Sequence, residues 1–145
     1  MNALGRTGRN DVPRAPRAPL VLRPIRTSCV LIEHPSVTIL TDPWFSHSMS
    51  GRKTHRAPAL RVEELPPIDL ILASHLHADH FELAAVAELS ARNPELVVVG
   101  TGGTARYCKD INQLAVQEMR PWEELTVKGV AIEAAPAKHT GPPPR

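Results

Sequence analysis

The chain has 145 residues, 42% of them hydrophobic, and a net charge of only +2; it is long enough for one domain with a real core and too nearly neutral to imply a nucleic-acid partner. Aromatic residues make up 3%, so that core must be built from Val, Leu, Ile and Ala. No segment approaches the ~20 apolar residues of a membrane span, and the Arg/Pro-rich start lacks the apolar stretch of a secretory signal.

Residues 1–19 read as a disordered arm, because Pro13, Pro16 and Pro19 interrupt regular hydrogen bonding and little there is worth burying. Its arginines could touch an acidic partner, but a plain solvated tail is the simpler reading. One domain is expected over residues 20–145. Ser28 to Glu33 and Val37 to Thr41 are β-rich runs broken by Pro35-Ser36, the pattern of a hairpin that Asp42-Pro43 ends. Trp44 to Arg61 is polar and basic, a loop in which Arg52, Lys53, His55 and Arg56 offer charge to a phosphate or carboxylate, or simply to water.

Ile68 to Ala73 is a nearly continuous apolar run, as in a strand buried on both faces. His80 to Arg92 has helical spacing, with Phe81, Ala85 and Leu89 on one stripe. Leu96 to Val99 is a second buried strand, followed by a short helix around Ala105 to Asp110 and a weak strand over Leu114 to Met119. Leu125 to Val127 and Val130 to Ala135 flank the two-residue turn Lys128-Gly129. This order predicts an α/β layer with a mixed sheet. Cys29 and Cys108, far apart in sequence, read as small hydrophobes in a reduced, cytoplasmic protein. Trp122, after Pro121, reads as a packing anchor.

The segment that carries chemistry is His75-Leu76-His77-Ala78-Asp79-His80, at the C-terminal end of the first buried strand, where α/β folds place their sites. In extended backbone, positions two apart point the same way, so His75 and His77 project together and Asp79 can follow. His80 stands where the chain turns toward the helix. Three imidazoles and a carboxylate form a ligand set for zinc, manganese or iron. With 7 histidines in the chain, three at set positions arise by chance at roughly one in ten thousand. A lone histidine would be read as a satisfied core residue; four such residues in six positions are not.

This segment resembles the HxHxDH signature of the metallo-β-lactamase superfamily. Val30-Leu31-Ile32-Glu33, Ile39-Leu40-Thr41-Asp42-Pro43 and Pro67-Ile68-Asp69-Leu70-Ile71-Leu72 are similar to the branch containing ascorbate-phosphate lactonase and N-acyl-phosphatidylethanolamine phospholipase D, and Pro136-Ala137-Lys138-His139 to its PA-x-H block. The resemblance implies the N-terminal half of an αββα sandwich. It further implies that His75, His77 and His139 hold one metal ion, that Asp79 and His80 contribute to a second, and that Asp42 steadies the ligands from outside. The family's bridging aspartate and final histidine lie beyond its PA-x-H block, so the chain is expected to be truncated at its C-terminus.

The expected activity is hydrolysis of an ester, lactone or phosphodiester in a small or lipid-like substrate. It would use a metal-bound hydroxide on one or two zinc ions (or manganese or iron), with Asp79 handling the proton. The alternative is a truncated, catalytically incompetent metal-binding remnant, whose open sheet face would favour self-association. Nucleic-acid binding through the arm is weak, since Tyr107 is the one tyrosine and no recognised module is present.

Overall fold

The computed structural model describes residues 19–49, 52, 53 and 56–139. The expected arm, but for its last residue, lies outside the described residues, as do His55 and the segment 140–145. The elements run β1 (Val21–Arg26), β2 (Cys29–His34), β3 (Val37–Thr41), a small pair β4 (Ser48–Met49) and β5 (Arg52–Lys53), a 3₁₀ turn (Val62–Glu64), β6 (Leu70–Leu72), α1 (Leu83–Arg92), β7 (Val97–Thr101), α2 (Thr104–Tyr107), β8 (Ala115–Met119), β9 (Glu124–Val127) and β10 (Val130–Glu133).

Six strands form one mixed sheet in the order β1-β2-β3-β6-β7-β8. The first three are an antiparallel meander, and β3, β6, β7 and β8 run parallel. Apolar side chains leave both faces of the central strands, which is why β6 and β7 lack polar alternation. Ile71, Leu40 and Val98 point to one face, where Ala85, Val86 and Leu89 of α1 cover them with Phe81. Leu70, Val37, Ile39, Val99 and Met119 point to the other, where the β9–β10 hairpin brings Val127, Leu125 and Ile132. Each fully buried side chain of this kind stabilises the fold by about 1.5–3 kcal/mol. The hairpin therefore begins a second layer, as in a sandwich, rather than extending the sheet.

Local chemistry explains the turns. Lys128 and Gly129 both have positive φ, 49° and 78°, as a two-residue hairpin turn requires. The sheet is mixed as expected, but three features differ from the sequence expectation. The strand β1 was hidden by Pro24 and two arginines, which an edge strand tolerates because, among the described residues, no strand pairs with its outer rim. The helix begins at Leu83 rather than His80, because the N–H groups of His80 and Phe81 both close onto the His77 carbonyl in a turn (2.9 and 2.8 Å). The Trp44–Arg61 stretch is not all loop, since β4 and β5 pair within it.

Trp122 is a fourth correction. It is 70% exposed and does not anchor the core. The residue has φ 70°, which turns its ring outward, and its backbone N–H instead ties the β8–β9 turn to the Ala134 carbonyl (2.6 Å).

Candidate metal centre

The site is built on the loop after β6. Ala73 still pairs with β7, its N–H on the Val99 carbonyl at 2.8 Å, so the chain leaves the sheet extended. Leu76 is buried and turns into the core beneath. Its neighbours His75 and His77 must then face away from it together, as two-residue periodicity dictates. Their ring centroids stand 4.8 Å apart, and His75 Nε2 lies 3.1 Å from His77 Nδ1.

His139, on the segment after β10, completes a triangle: its ring is 4.6 Å from both His75 and His77. One ligand atom from each of the three lies within 4.8 Å of the others. Two nitrogens on a tetrahedral zinc ion, each about 2.05 Å from it, would be about 3.3 Å apart, so the His75–His77 pair suits such an ion. The donor set fits the group.

A hydrogen-bonded chain orients His75. The Ser74 hydroxyl donates to Asp42 Oδ2 (2.8 Å), which leaves its oxygen to accept the His75 Nδ1–H (3.0 Å). The lone pair of His75 is thereby placed on Nε2, facing His77 and His139. Burial, followed by the neighbouring rings of His80, His139 and His77, holds the His75 imidazole below its usual range, while Asp42 opposes this. A neutral ring is the form a cation needs.

His80 stands beside the triangle, 4.1 Å from the His75 ring. Its Nδ1 is 2.8 Å from Asp42 Oδ2, and its Nε2 is 3.9 Å from the partly exposed Asp79 carboxylate. Asp42 is buried, with φ 37°, and its other oxygen accepts the Ser74 N–H at 2.7 Å. Its left-handed backbone ends the hairpin while its carboxylate holds Ser74 and His80.

Sequence reasoning missed Ser74 and Glu82. Glu82 occupies the N-cap of α1 but does not cap it. Its carboxylate instead accepts the Phe45 and Ser46 N–H groups (2.7 and 2.9 Å) and the Ser46 hydroxyl, clamping the segment after Asp42 against the site loop. An acid two residues beyond the signature was a usable signal; a serine was not. Of the basic loop, Arg56 is exposed, β5 carries Arg52 and Lys53, and His55 is outside the described residues. Under the hairpin and against Asp42 and Ser74 lies a cavity of about 340 Å³ whose walls include Leu72, Val99, Met119 and Ile132.

Residues 37–145 match the model of the beta-lactamase superfamily domain. The chain belongs to the metallo-β-lactamase superfamily. This superfamily member is 30% identical over 127 residues to the N-acyl-phosphatidylethanolamine-hydrolyzing phospholipase D 1 of Caenorhabditis elegans, a match covering 77% of the chain and 35% of that protein. It is 32% identical over 124 residues to the mitochondrial N-acyl-phosphatidylethanolamine-hydrolyzing phospholipase D of Saccharomyces cerevisiae, covering 77% of the chain and 25% of the relative. A metallo hydrolase of Ignicoccus hospitalis shares the fold with a TM-score of 0.64 at 18% identity, over 83% of the chain and 49% of that structure. The chain therefore spans about a quarter to a third of the curated relatives' length and half of the solved hydrolase. Among the described residues, no helix is long and apolar enough to cross a membrane.

Proposed function

We propose that this superfamily member acts as a metal-dependent hydrolase of an ester, lactone or phosphodiester, with a cation held by His75, His77 and His139. The observation that carries this reading is the convergence of those three ligand atoms within 4.8 Å. Asp79 and His80, with Nε2 and carboxylate 3.9 Å apart, are assigned to a second cation position. A bound divalent cation supplies an acidified water and a positive charge for the oxygen on which charge develops. Zinc suits three imidazoles best, and manganese or iron can occupy the same donors.

The residues of the chain do the remainder. Ser74 and Asp42 hold the His75 and His80 rings in their ligating orientation. Asp79, partly open to solvent, is positioned to take a proton from the attacking water and pass it to the leaving group. The cavity beside Ser74 is walled mainly by apolar side chains and accommodates an apolar portion of the substrate. Together with the two relatives named for hydrolysing a phospholipid, this favours a lipid-like phosphodiester.

The test is His77→Ala. Elemental analysis should show loss of bound metal, and phosphodiester and lactone assays with zinc or manganese supplied should show turnover in the parent and none in the variant. Unchanged metal content in the variant refutes the ligand assignment. Metal uptake without turnover in the parent refutes the hydrolase reading while leaving the ligands in place.

A further inference from the structure

We infer that Ser28 is a positioning residue for His80: its hydroxyl, a second partner at Nδ1 beside the Asp42 carboxylate, holds the imidazole ring in the orientation that turns Nε2 toward Asp79. The inference rests on the proposed assignment of Asp79 and His80 to a second cation position.

The argument begins with proton accounting at one nitrogen. His80 Nδ1 has two oxygens within hydrogen-bond distance, Asp42 Oδ2 at 2.8 Å and Ser28 Oγ at 2.9 Å. Asp42 Oδ2 also accepts the Ser74 hydroxyl, and Oδ1 accepts the Ser74 N–H, so the carboxylate is acting as an acceptor on both oxygens. An unprotonated Nδ1 facing that oxygen would set lone pair against lone pair. The hydrogen therefore sits on Nδ1, shared between the carboxylate and the serine oxygen, and Nε2 is left as the ligand atom. The carboxylate fixes the proton; the serine oxygen, delivered from the turn between β1 and β2, gives the ring a second anchor at the same nitrogen.

The backbone shows that this delivery is built. Ser28 lies in the turn between β1 and β2, directly after Thr27, whose φ is 42°. A β-branched residue in the left-handed region is strained, and such strain persists only where the surroundings hold it. Here the Thr41 hydroxyl donates to the Ser28 carbonyl at 2.6 Å and accepts the Val30 N–H at 3.0 Å, tying the strained turn to the end of β3. Among the described residues, five non-glycine residues have positive φ, and two of them, Thr27 and Asp42, deliver the two oxygens that meet at His80. The strain on both approaches to one nitrogen is the mark of a set position.

The test uses Ser28→Ala and Ser28→Thr in the whole chain. In the metal-free protein, side-chain couplings measured by NMR should report one χ1 rotamer of His80 in the parent and in Ser28→Thr. Averaging between rotamers is expected in Ser28→Ala. In zinc titrations the second equivalent should bind roughly 10–100-fold more weakly to Ser28→Ala, with the first unchanged and Ser28→Thr restoring the affinity. A single unaltered rotamer in Ser28→Ala overturns the inference, even if that variant is less stable, because Ser28 would then be a turn residue only. A parent that binds no second zinc overturns the second cation position itself; the rotamer result still judges Ser28 as the residue that orients His80.

Discussion

At the scale of single residues, Asp42 is a buried carboxylate held from several sides. Both oxygens accept hydrogen bonds, Oδ1 from the Ser74 N–H and Oδ2 from the Ser74 hydroxyl and His80. In Asp42→Asn one of those oxygens becomes an NH₂ donor: at Oδ1 it faces the Ser74 N–H, and at Oδ2 the Ser74 hydroxyl and His80 would both have to give up donating to it. The expected cost is about 1–3 kcal/mol in urea unfolding, since a buried polar group is left unsatisfied. An unchanged unfolding midpoint would show that the hydrogen bonds at Asp42 do not support the fold. The histidines of the site were legible at this scale because four ligand-type residues in six positions have few structural explanations. The serines that orient them were not, because a hydroxyl is informative only once its partner is known, and Ser28 meets His80 from a turn far away in sequence.

At the scale of elements, the junction between β7 and α2 shows how closely the layers are fitted. A Cβ at Gly100 would lie 2.5 Å from Thr104 Oγ1, and Thr104 is fully buried with that hydroxyl held on the Thr101 carbonyl at 2.6 Å. Gly100→Ala should therefore destabilise by about 1–3 kcal/mol, as overpacking does, and Gly100→Ala with Thr104→Ala should recover part of the loss. A thermal melt of the single variant matching the parent would mean that the loop yields freely. The central strands and the closing hairpin were readable from apolar runs and from the Lys128-Gly129 turn, where local preference and tertiary role agree. The start of α1 and the whole of β1 were not. In the first case Glu82 is diverted from capping to clamping; in the second, pairing with β2 overrides a Pro- and Arg-containing sequence.

At the scale of the whole molecule, the proposed cation joins regions that the sheet does not. His75 and His77 belong to the loop after β6, whereas His139 follows the hairpin that forms the second layer. A ligand that binds only the folded arrangement stabilises it by about 2.7 kcal/mol at a free concentration 100 times its Kd. For a domain of this size that is a rise in Tm of roughly 5–10 °C. Zinc should raise the melting temperature of the parent by that order and leave His77→Ala unmoved; equal shifts in both would place the ion elsewhere. The mixed sheet was expected from element order, but the seating of the hairpin as a second layer was not, since sequence does not show which face the hairpin will choose.

The division of the histidine triangle between two layers has a further thermodynamic meaning. A peptide spanning residues 74–80 carries two of the three corners and nothing of the third. The ratio of zinc affinities between chain and peptide therefore measures the effective concentration at which His139 is presented, which for a tethered group is on the order of millimolar or more. The ion becomes a ruler: how tightly it is held reports how firmly the hairpin rests on the sheet beneath it.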